Sequence, residues 1–317
     1  MIRKLEDIIM PWYKGNLHTH TNKSDGDSSP EVVTNWYEKN GYDFLVLSDH
    51  NHLTILDHKS SLLLIPGEEI TLNVPYSIHV NAIGINKVIE PTIRSSKVKT
   101  LQANINNIIK AGGLAQINHP NFRWSLSGDD LVQIKSAHFL EIFNGNLDTH
   151  NYGGGGKKSV EEMWDQVLSS GIAIWGVAVD DSHHFQGEFS PRMHNPGRGW
   201  IVVNSDRLSE ESILKSLYKG DFYFTTGIKF QEITIERNTI QIKILGDEMV
   251  GGIGNLISDS KYTTYLISND GEIIEESFGK EVSFNLPSNT QDSRETYFRT
   301  KTCSSIGSVG WTQPLFI

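Results

Sequence analysis

The chain has 317 residues, of which 38% are apolar, with a formal charge of −10 and a single cysteine. That length can bury a large core as one domain or two. The acidic balance excludes a nucleic-acid backbone or an anionic membrane as the main partner, because both call for a basic face. A small phosphorylated substrate remains compatible, since bound cations can supply the positive charge. With Cys303 alone there is no internal disulfide and no Cys-based zinc site. The opening Met1–Met10 carries charges throughout and lacks an apolar h-region, and no run is long enough to span a bilayer, so the expected location is cytoplasmic. The sequence carries no signal for an oligomeric state.

In chain order, Trp12–Leu17 reads as a strand leading to His18-Thr19-His20 and then Asp25. Residues i and i+2 of an extended segment project to one side, so both imidazoles can reach one ion. Ser28 with Glu31 predicts a capping box, with Pro30 in the first turn and Gly41 past the end. Phe44–Ser48 is a strand running into Asp49-His50-Asn51-His52, and Leu62–Ile65 is another that ends at Pro66-Gly67-Glu68-Glu69. Ile78–Ile85 alternates, with His79, Asn81 and Ile83 on one side. A helix over Thr100–Ala111 leads to the strand Leu114–Ile117 and Asn118-His119-Pro120. Ser127–Ser136 reads as a helix, and Phe139–Phe143 as a strand carrying Glu141 and ending at Asn144. Gly153–Gly156 lacks a P-loop signature and reads as a lid or linker. A helix capped by Ser159 and Glu162 precedes the apolar strand Ile172–Val179, which ends at Asp180-Asp181-Ser182-His183-His184. Trp200–Val203, a helix over Ser209–Lys219 and Phe222–Thr226 follow.

Strand, loop and helix thus repeat about seven times, with candidate ligands just past the strands. That rhythm predicts parallel strands covered by helices, whose C-terminal ends converge on one face. From about Lys229 the texture changes. Ile233, Ile235, Ile240, Ile242 and Ile244 alternate around a turn at Arg237-Asn238, and Tyr262–Ile267, Tyr297–Thr302 and Trp311–Ile317 complete a set of short strands. This predicts a small all-β sandwich over 229–317, separate from a metal-bearing part over 1–228.

His18-Thr19-His20 with Asp25, Ser48-Asp49-His50, Gly67-Glu68-Glu69, His79, Asn118-His119-Pro120 and Asp181-Ser182-His183 resemble the polymerase and histidinol phosphatase (PHP) family over about residues 14–226. Trp175-Gly176, Asp180–His184 and Gly197–Trp200 look like the branch that includes carbaryl hydrolase. The resemblance implies a distorted, TIM-like (β/α)7 barrel with a trinuclear metal centre. Carried over, the first ion takes His18, His20, Glu69 and Asp181, the second shares Glu69 and adds His79 and His119, and the third takes Asp25, His50 and His183. Many members have histidine where this chain has Asp25. Glu68 competes with Glu69, but strand neighbours face opposite ways. Asp49 and Asp180 read as acceptors for ligating imidazoles. Glu141 and His150 lie near the face without further support, Asn144 lines the pocket or caps a turn, and His52, His58 and His138 have no motif partner.

Arg123 and Arg198 follow strand ends and suit phosphate binding or salt bridges, and His194 is a proton donor to a leaving group or a loop histidine. Asp181 is the other candidate catalytic group. The implied function is a hydrolase using two to three divalent ions (Mn, Fe or Zn), most simply a phosphoesterase in which a water shared by two ions attacks the phosphorus of a small ester. Carbamate or carboxylic-ester hydrolysis is the alternative, with Phe122, Trp124, Trp175 and Phe185 forming an apolar pocket. A non-catalytic binding protein that retains the metal site is the alternative from another class.

Overall fold

Short apolar runs separated by polar, glycine-containing loops become strands. The computed structural model describes residues 10–57, 61–236, 238–248, 259–287 and 296–317. His58, Arg237 of the expected hairpin turn and all but the last residue of the opening Met1–Met10 lie outside the described residues. The first part of the chain builds β1 (Trp12–Asn16), β2 (Phe44–Leu47), β3 (Leu63–Leu72), β4 (Ile78–Ile83), β5 (Leu114–Ile117), β6 (Phe139–Asn144), β7 (Trp175–Val179), β8 (Trp200–Asn204) and β9 (Phe222–Thr225). Five helices accompany them: α1 (Pro30–Lys39), α2 (Lys97–Lys110), α3 (Gly128–Leu131), α4 (Val160–Ser169) and α5 (Glu210–Lys219). The second part adds β10 (Ile228–Glu236), β11 (Thr239–Asp247), β12 (Tyr262–Ile267), β13 (Ile273–Phe278), β14 (Glu281–Asn285), β15 (Tyr297–Ser304), β16 (Val309–Trp311) and β17 (Leu315–Phe316).

The architecture is mixed α/β. A 14-stranded sheet runs β13-β12-β15-β16-β9-β8-β1-β2-β3-β4-β5-β6-β7, with β17 on β15. Strands β1, β2 and β3 pair in parallel, as do β5, β6 and β7, whereas β4 is antiparallel to both β3 and β5, and β8 is antiparallel to β1. Beyond their C-terminal ends β7 and β1 join, through His20 N–H to Ser182 O and Asp181 N–H to His18 O, both 2.9 Å. Strands β1 to β7 therefore ring the candidate ligands.

The sequence expectation of uniform strand–helix alternation is corrected in two places. No helix intervenes between β2 and β3 among the described residues, and β3 runs on through Gly67-Glu68-Glu69 to pair with β4 as a hairpin rather than ending at Pro66. The expected helix over Ser127–Ser136 is only the four-residue α3, because the Lys135 N–H is taken by Gln102 (2.8 Å) and Ser136 sits at φ 62°. Ser159 and Glu162 make the expected capping box on α4. At α1 the N-cap is Ser29, and the Ser28 hydroxyl donates to Asp27 instead (2.7 Å). Gly153–Gly156 forms a tight turn, closed by reciprocal 3.0 Å hydrogen bonds between Gly154 and Lys157, with all four glycines at positive φ.

The second part is β-rich as expected, with β13 and β14 in addition. A three-stranded sheet, β10-β11-β14, lays Ile240, Ile242 and Phe284 against Leu266 and Phe298 of the large sheet. The same cluster includes Val33, Tyr37, Leu45 and Trp200, so the core is continuous across residue 229. Ile233 and Ile235 of the edge strand β10 are only partly covered. Arg299 on β15 is buried against Trp164 and forms a bidentate pair with Asp165 of α4 (2.8 and 2.7 Å), and Gln313 brackets both backbone groups of Gly176 on β7.

Candidate metal centre

Among the described residues, six of the eight non-glycine residues at positive φ lie at or beside the C-terminal ends of the ring: Asn51, His119, Arg123, Trp124, His150 and Asp181. Strain of this kind persists where surrounding structure enforces it, often around functional groups. The ligands converge there. Nε2 of His18 and Nε2 of His20 face each other at 3.1 Å, each 3.2 Å from Asp181 Oδ1 and 3.6 Å from Glu69 Oε2. On the far side of the Glu69 carboxylate, Oε1 is 3.0 Å from His79 Nδ1 and 3.4 Å from His119 Nε2. Asp25 reaches His50 Nε2 (3.3 Å) and His183 Nε2 (3.4 Å). All nine residues expected as ligands are thus brought together, with Glu69 central.

The register at Glu68-Glu69 follows from β3 continuing as a strand. Glu69 faces inward, whereas Glu68 faces outward, is buried and accepts the Ile89 N–H at 2.6 Å. Groupings of donor atoms close enough for one ion are His18, His20 and Glu69; His18, His119 and Asp181; His50, Glu69 and His79; and His20, Asp25, His50 and His183. His50 therefore stands between Glu69 (2.7 Å) and Asp25, and His20 adjoins the Asp25 group as well as the first.

The donor set fits divalent cations. His79 Nε2 is buried yet makes no hydrogen bond, an arrangement costly for a polar atom without another partner. Burial disfavours the protonated form of His18, but Asp181, Glu141 and Glu69 outweigh it and raise its pKa well above the ordinary value. The same balance, with Glu69 and Asp25 prevailing, raises His50 to about 10. Burial and the neighbouring His183 lower His20 to about 4. Burial opposes ionisation of Glu69 and Asp181, yet the surrounding imidazoles hold both well below the carboxylate range. A field that draws protons onto buried imidazoles draws metal cations too, and the two compete for the same lone pairs.

Asp49 and Asp180 do not receive an imidazole, which corrects that expectation. Asp49 accepts from Thr21 N–H (2.7 Å) and the Ser24 hydroxyl (2.7 Å), shaping the loop that carries Asp25. Asp180 accepts from Tyr37 (2.8 Å) and the Arg198 and Gly199 amides. Other groups hold the imidazoles: Glu141 is 2.6 Å from His18 Nδ1, the Thr71 hydroxyl 2.6 Å from His50 Nδ1 and the Asp181 carbonyl 2.9 Å from His183 Nδ1. Asn144 donates to both Glu141 (3.0 Å) and Asp181 (3.1 Å), and Asn118 donates to Glu69 (2.8 Å).

A cavity of about 350 Å³ opens beside the cluster, lined by Asp25, His50, Glu69, His79, His119, Phe122, Asn146, Asp148, Thr149, Asp181, His183, His184 and His194. His194 lines it as expected. Its Nδ1 accepts from the Asn146 amide (3.3 Å), so in the neutral ring Nε2 carries the proton. Burial and His183 lower its pKa, which favours hydrogen-bond donation over full proton transfer.

The arginines differ from expectation. Arg198 spends its guanidinium on the carbonyls of Gly145 (2.8 Å), Ser190 (2.7 Å) and Met193, pinning the 183–198 loop, and does not line the cavity. Arg123 is exposed, its guanidinium 5.2 Å from the Phe122 ring centre, outside the lining itself. Of the aromatic residues expected around an apolar leaving group, only Phe122 lines the cavity. Trp124 stacks on His150 (4.7 Å), Phe185 packs near Trp36 and Tyr37, and Trp175 opens β7 at the opposite end of the ring.

No family model and no curated protein matches the chain. Among solved structures, it is similar to a two-domain protein containing a predicted PHP-like metal-dependent phosphoesterase from Bacteroides vulgatus, at 15% identity and a TM-score of 0.51 over 97% of this chain and 95% of that one. The chain shares the fold of that protein over nearly its whole length. Partial likenesses extend to a proposed metal-dependent phosphoesterase from Bifidobacterium adolescentis (16% identity, TM-score 0.40, 55% of this chain and 89% of that one). A further one is to an amidohydrolase from Chromobacterium violaceum (14%, 0.34, 57% and 93%).

Proposed function

We propose that the chain is a PHP-family metal-dependent hydrolase that cleaves a small phosphate ester, with two to three divalent ions (Mn, Fe or Zn). The observation that carries this reading is the convergence of nine His, Asp and Glu side chains on Glu69 beside an open cavity. The first ion would be held by His18, His20, Glu69 and Asp181, the second by Glu69, His79 and His119, and the third by Asp25, His50 and His183. When bound, such ions supply Lewis acidity and an activated water. The chain's own residues do the rest. Glu69 and Asp181 offset the charge of the cations, Asn118 and Asn144 fix those carboxylates, and His194, neutral and held by Asn146, presents Nε2–H to a substrate oxygen. The open cavity favours an enzyme over a binding protein with closed ligand shells, and its polar walls favour a phosphate ester over an aryl carbamate.

We also read the ring β1–β7 as the distorted (β/α)7 barrel of that family, with residues 229–317 as its accessory β domain. The experiment is a turnover screen of phosphate monoesters, nucleotides, carbamates and aryl esters with Mn, Fe and Zn, alongside metal analysis of protein purified without chelator. Turnover of phosphate esters with bound metal supports the reading. Absence of bound metal and of any metal-stimulated turnover overturns it.

A further inference from the structure

We infer that Glu141 is a positioning residue that couples the first and second ion sites, an inference that rests on the metal reading above. Glu141 is buried, and all four groups that meet its carboxylate are hydrogen-bond donors. Oε1 faces His18 Nδ1 (2.6 Å) and the Gln116 amide (2.9 Å), and Oε2 accepts the backbone N–H of His119 (2.8 Å) and the Asn144 amide (3.0 Å). Three of these act on ligands. The carboxylate puts the proton of a neutral His18 ring on Nδ1, which leaves the Nε2 lone pair aimed at His20 Nε2, Glu69 and Asp181. Its second oxygen holds the backbone of His119, a residue kept at φ 22°. Through the shared Asn144 amide it also fixes the outer oxygen of Asp181, whose other oxygen meets His18 and His20. One carboxylate thus restrains two ligands of the first site and one of the second.

The chemistry of replacement is asymmetric. Glutamine has the same shape but one acceptor oxygen and an NH2, so in either orientation two donors of the native set face another donor. Glu141→Gln is therefore expected to release either His18 and Gln116 or His119 and Asn144; in either orientation a neutral amide replaces the carboxylate at both sets of partners, which loosens ligands of both ions together.

The test uses the full chain and Mn2+ or Zn2+ as the probe, in competition with a chromogenic chelator. Val203→Ala, a core change on β8 away from the centre, controls for loss of stability. Glu141→Gln is expected to weaken binding about 10- to 100-fold at the first and second sites, the range for loss of a group that orients a ligand, while Val203→Ala binds as wild type. Proton NMR of metal-free protein at low temperature gives an independent readout. The short His18 Nδ1–H to carboxylate bond is expected as a far-downfield resonance present in wild type and Val203→Ala and lost in Glu141→Gln. Affinity within twofold of wild type, loss confined to one ion, equal loss in Val203→Ala, or a downfield resonance unchanged in Glu141→Gln would overturn the inference. Wild-type protein that binds neither metal would overturn the metal reading itself, whereas the resonance tests the His18–Glu141 bond regardless.

Discussion

Neighbouring glutamates on one strand offer the sharpest test of the centre, because the same substitution at each has opposite consequences. Glu69→Gln removes a charge lying 2.7 to 3.6 Å from ring nitrogens of His50, His79, His119, His18 and His20. A unit charge about 4 Å from a monovalent partner is worth about 4 kcal/mol at an effective dielectric of 20, and a divalent ion feels more. The glutamine carbonyl recovers part of that, so the expected loss of affinity is about 100-fold or more at each of two sites. Glu68→Gln leaves the ligands alone. The buried Glu68 carboxyl has its pKa pushed up to about 7 by burial, against 4.5 ordinarily, with the Ile89 amide only partly compensating. A raised carboxyl pKa means that the folded state holds the proton more tightly. The stability it contributes is fully present below about pH 4.5 and is lost as pH rises through about 7. Glutamine mimics the protonated form, so Glu68→Gln is expected to gain on the order of 1–2 kcal/mol relative to wild type above pH 7 and nothing near pH 4. Metal content, chelator competition and thermal melts at pH 5 and pH 8 read both effects. Full metal loading of Glu69→Gln, or metal loss in Glu68→Gln, would refute the assignment of the inward face.

Four further outcomes are expected. Metal affinity should rise with pH, because ions displace protons from His18, His50, His119 and His183, whose pKa values are raised although burial alone would lower them; a pH-independent Kd between pH 6 and 8 would count against this field. Arg299→Met should cost about 3–5 kcal/mol in denaturant unfolding, since it leaves the buried carboxylate of Asp165 without its cation and takes one of two cations from Glu161. Arg198→Ala should lower stability by about 1–3 kcal/mol through its three carbonyl partners, and a change in KM without a change in Tm would instead mark it as a substrate ligand. A chain truncated before Lys229 keeps every candidate ligand but uncovers Tyr37, Leu45 and Trp200, so it should aggregate or bind hydrophobic dye; if it folds cooperatively yet binds no metal, the division of the chain is misplaced.

Most of the candidate ligands were legible because they follow a short apolar run, and strand geometry fixes which side the next residues face; His79, at the start of β4, reaches the same face because that strand is reversed. Period-two alternation puts His18 and His20 on one side and admits only one of Glu68 and Glu69 to the inside, while the resemblance to the family pattern points to the second. Helix ends were legible for a similar reason, since Ser159 and Glu162 are three residues apart and meet without help from the rest of the chain. The reversed β4 was not legible. The residues of β3 that follow Pro66 are polar and look like the close of a strand, and only pairing with β4 shows that they continue it.

Roles that depend on distant partners were hidden for the same physical reason. Arg198 follows a strand end as a phosphate-binding arginine would, yet the 183–198 loop folds back and offers carbonyls that satisfy its fork before any ligand can. Glu141 lies mid-strand and 123 residues from His18, and nothing local distinguishes it from an ordinary buried acid. What gives it a role is that only β7 separates β6 from β1 where the ring closes, close enough for its carboxylate to span the gap. Local pattern thus reports which side chains enter the ring, whereas the groups that orient them are fixed by which strands the closed sheet brings face to face. Glu141 and Asn144 on β6 and Thr71 on β3 carry no motif, yet their contacts reach His18, Asp181 and His50, and each does so across strands, where no spacing rule applies.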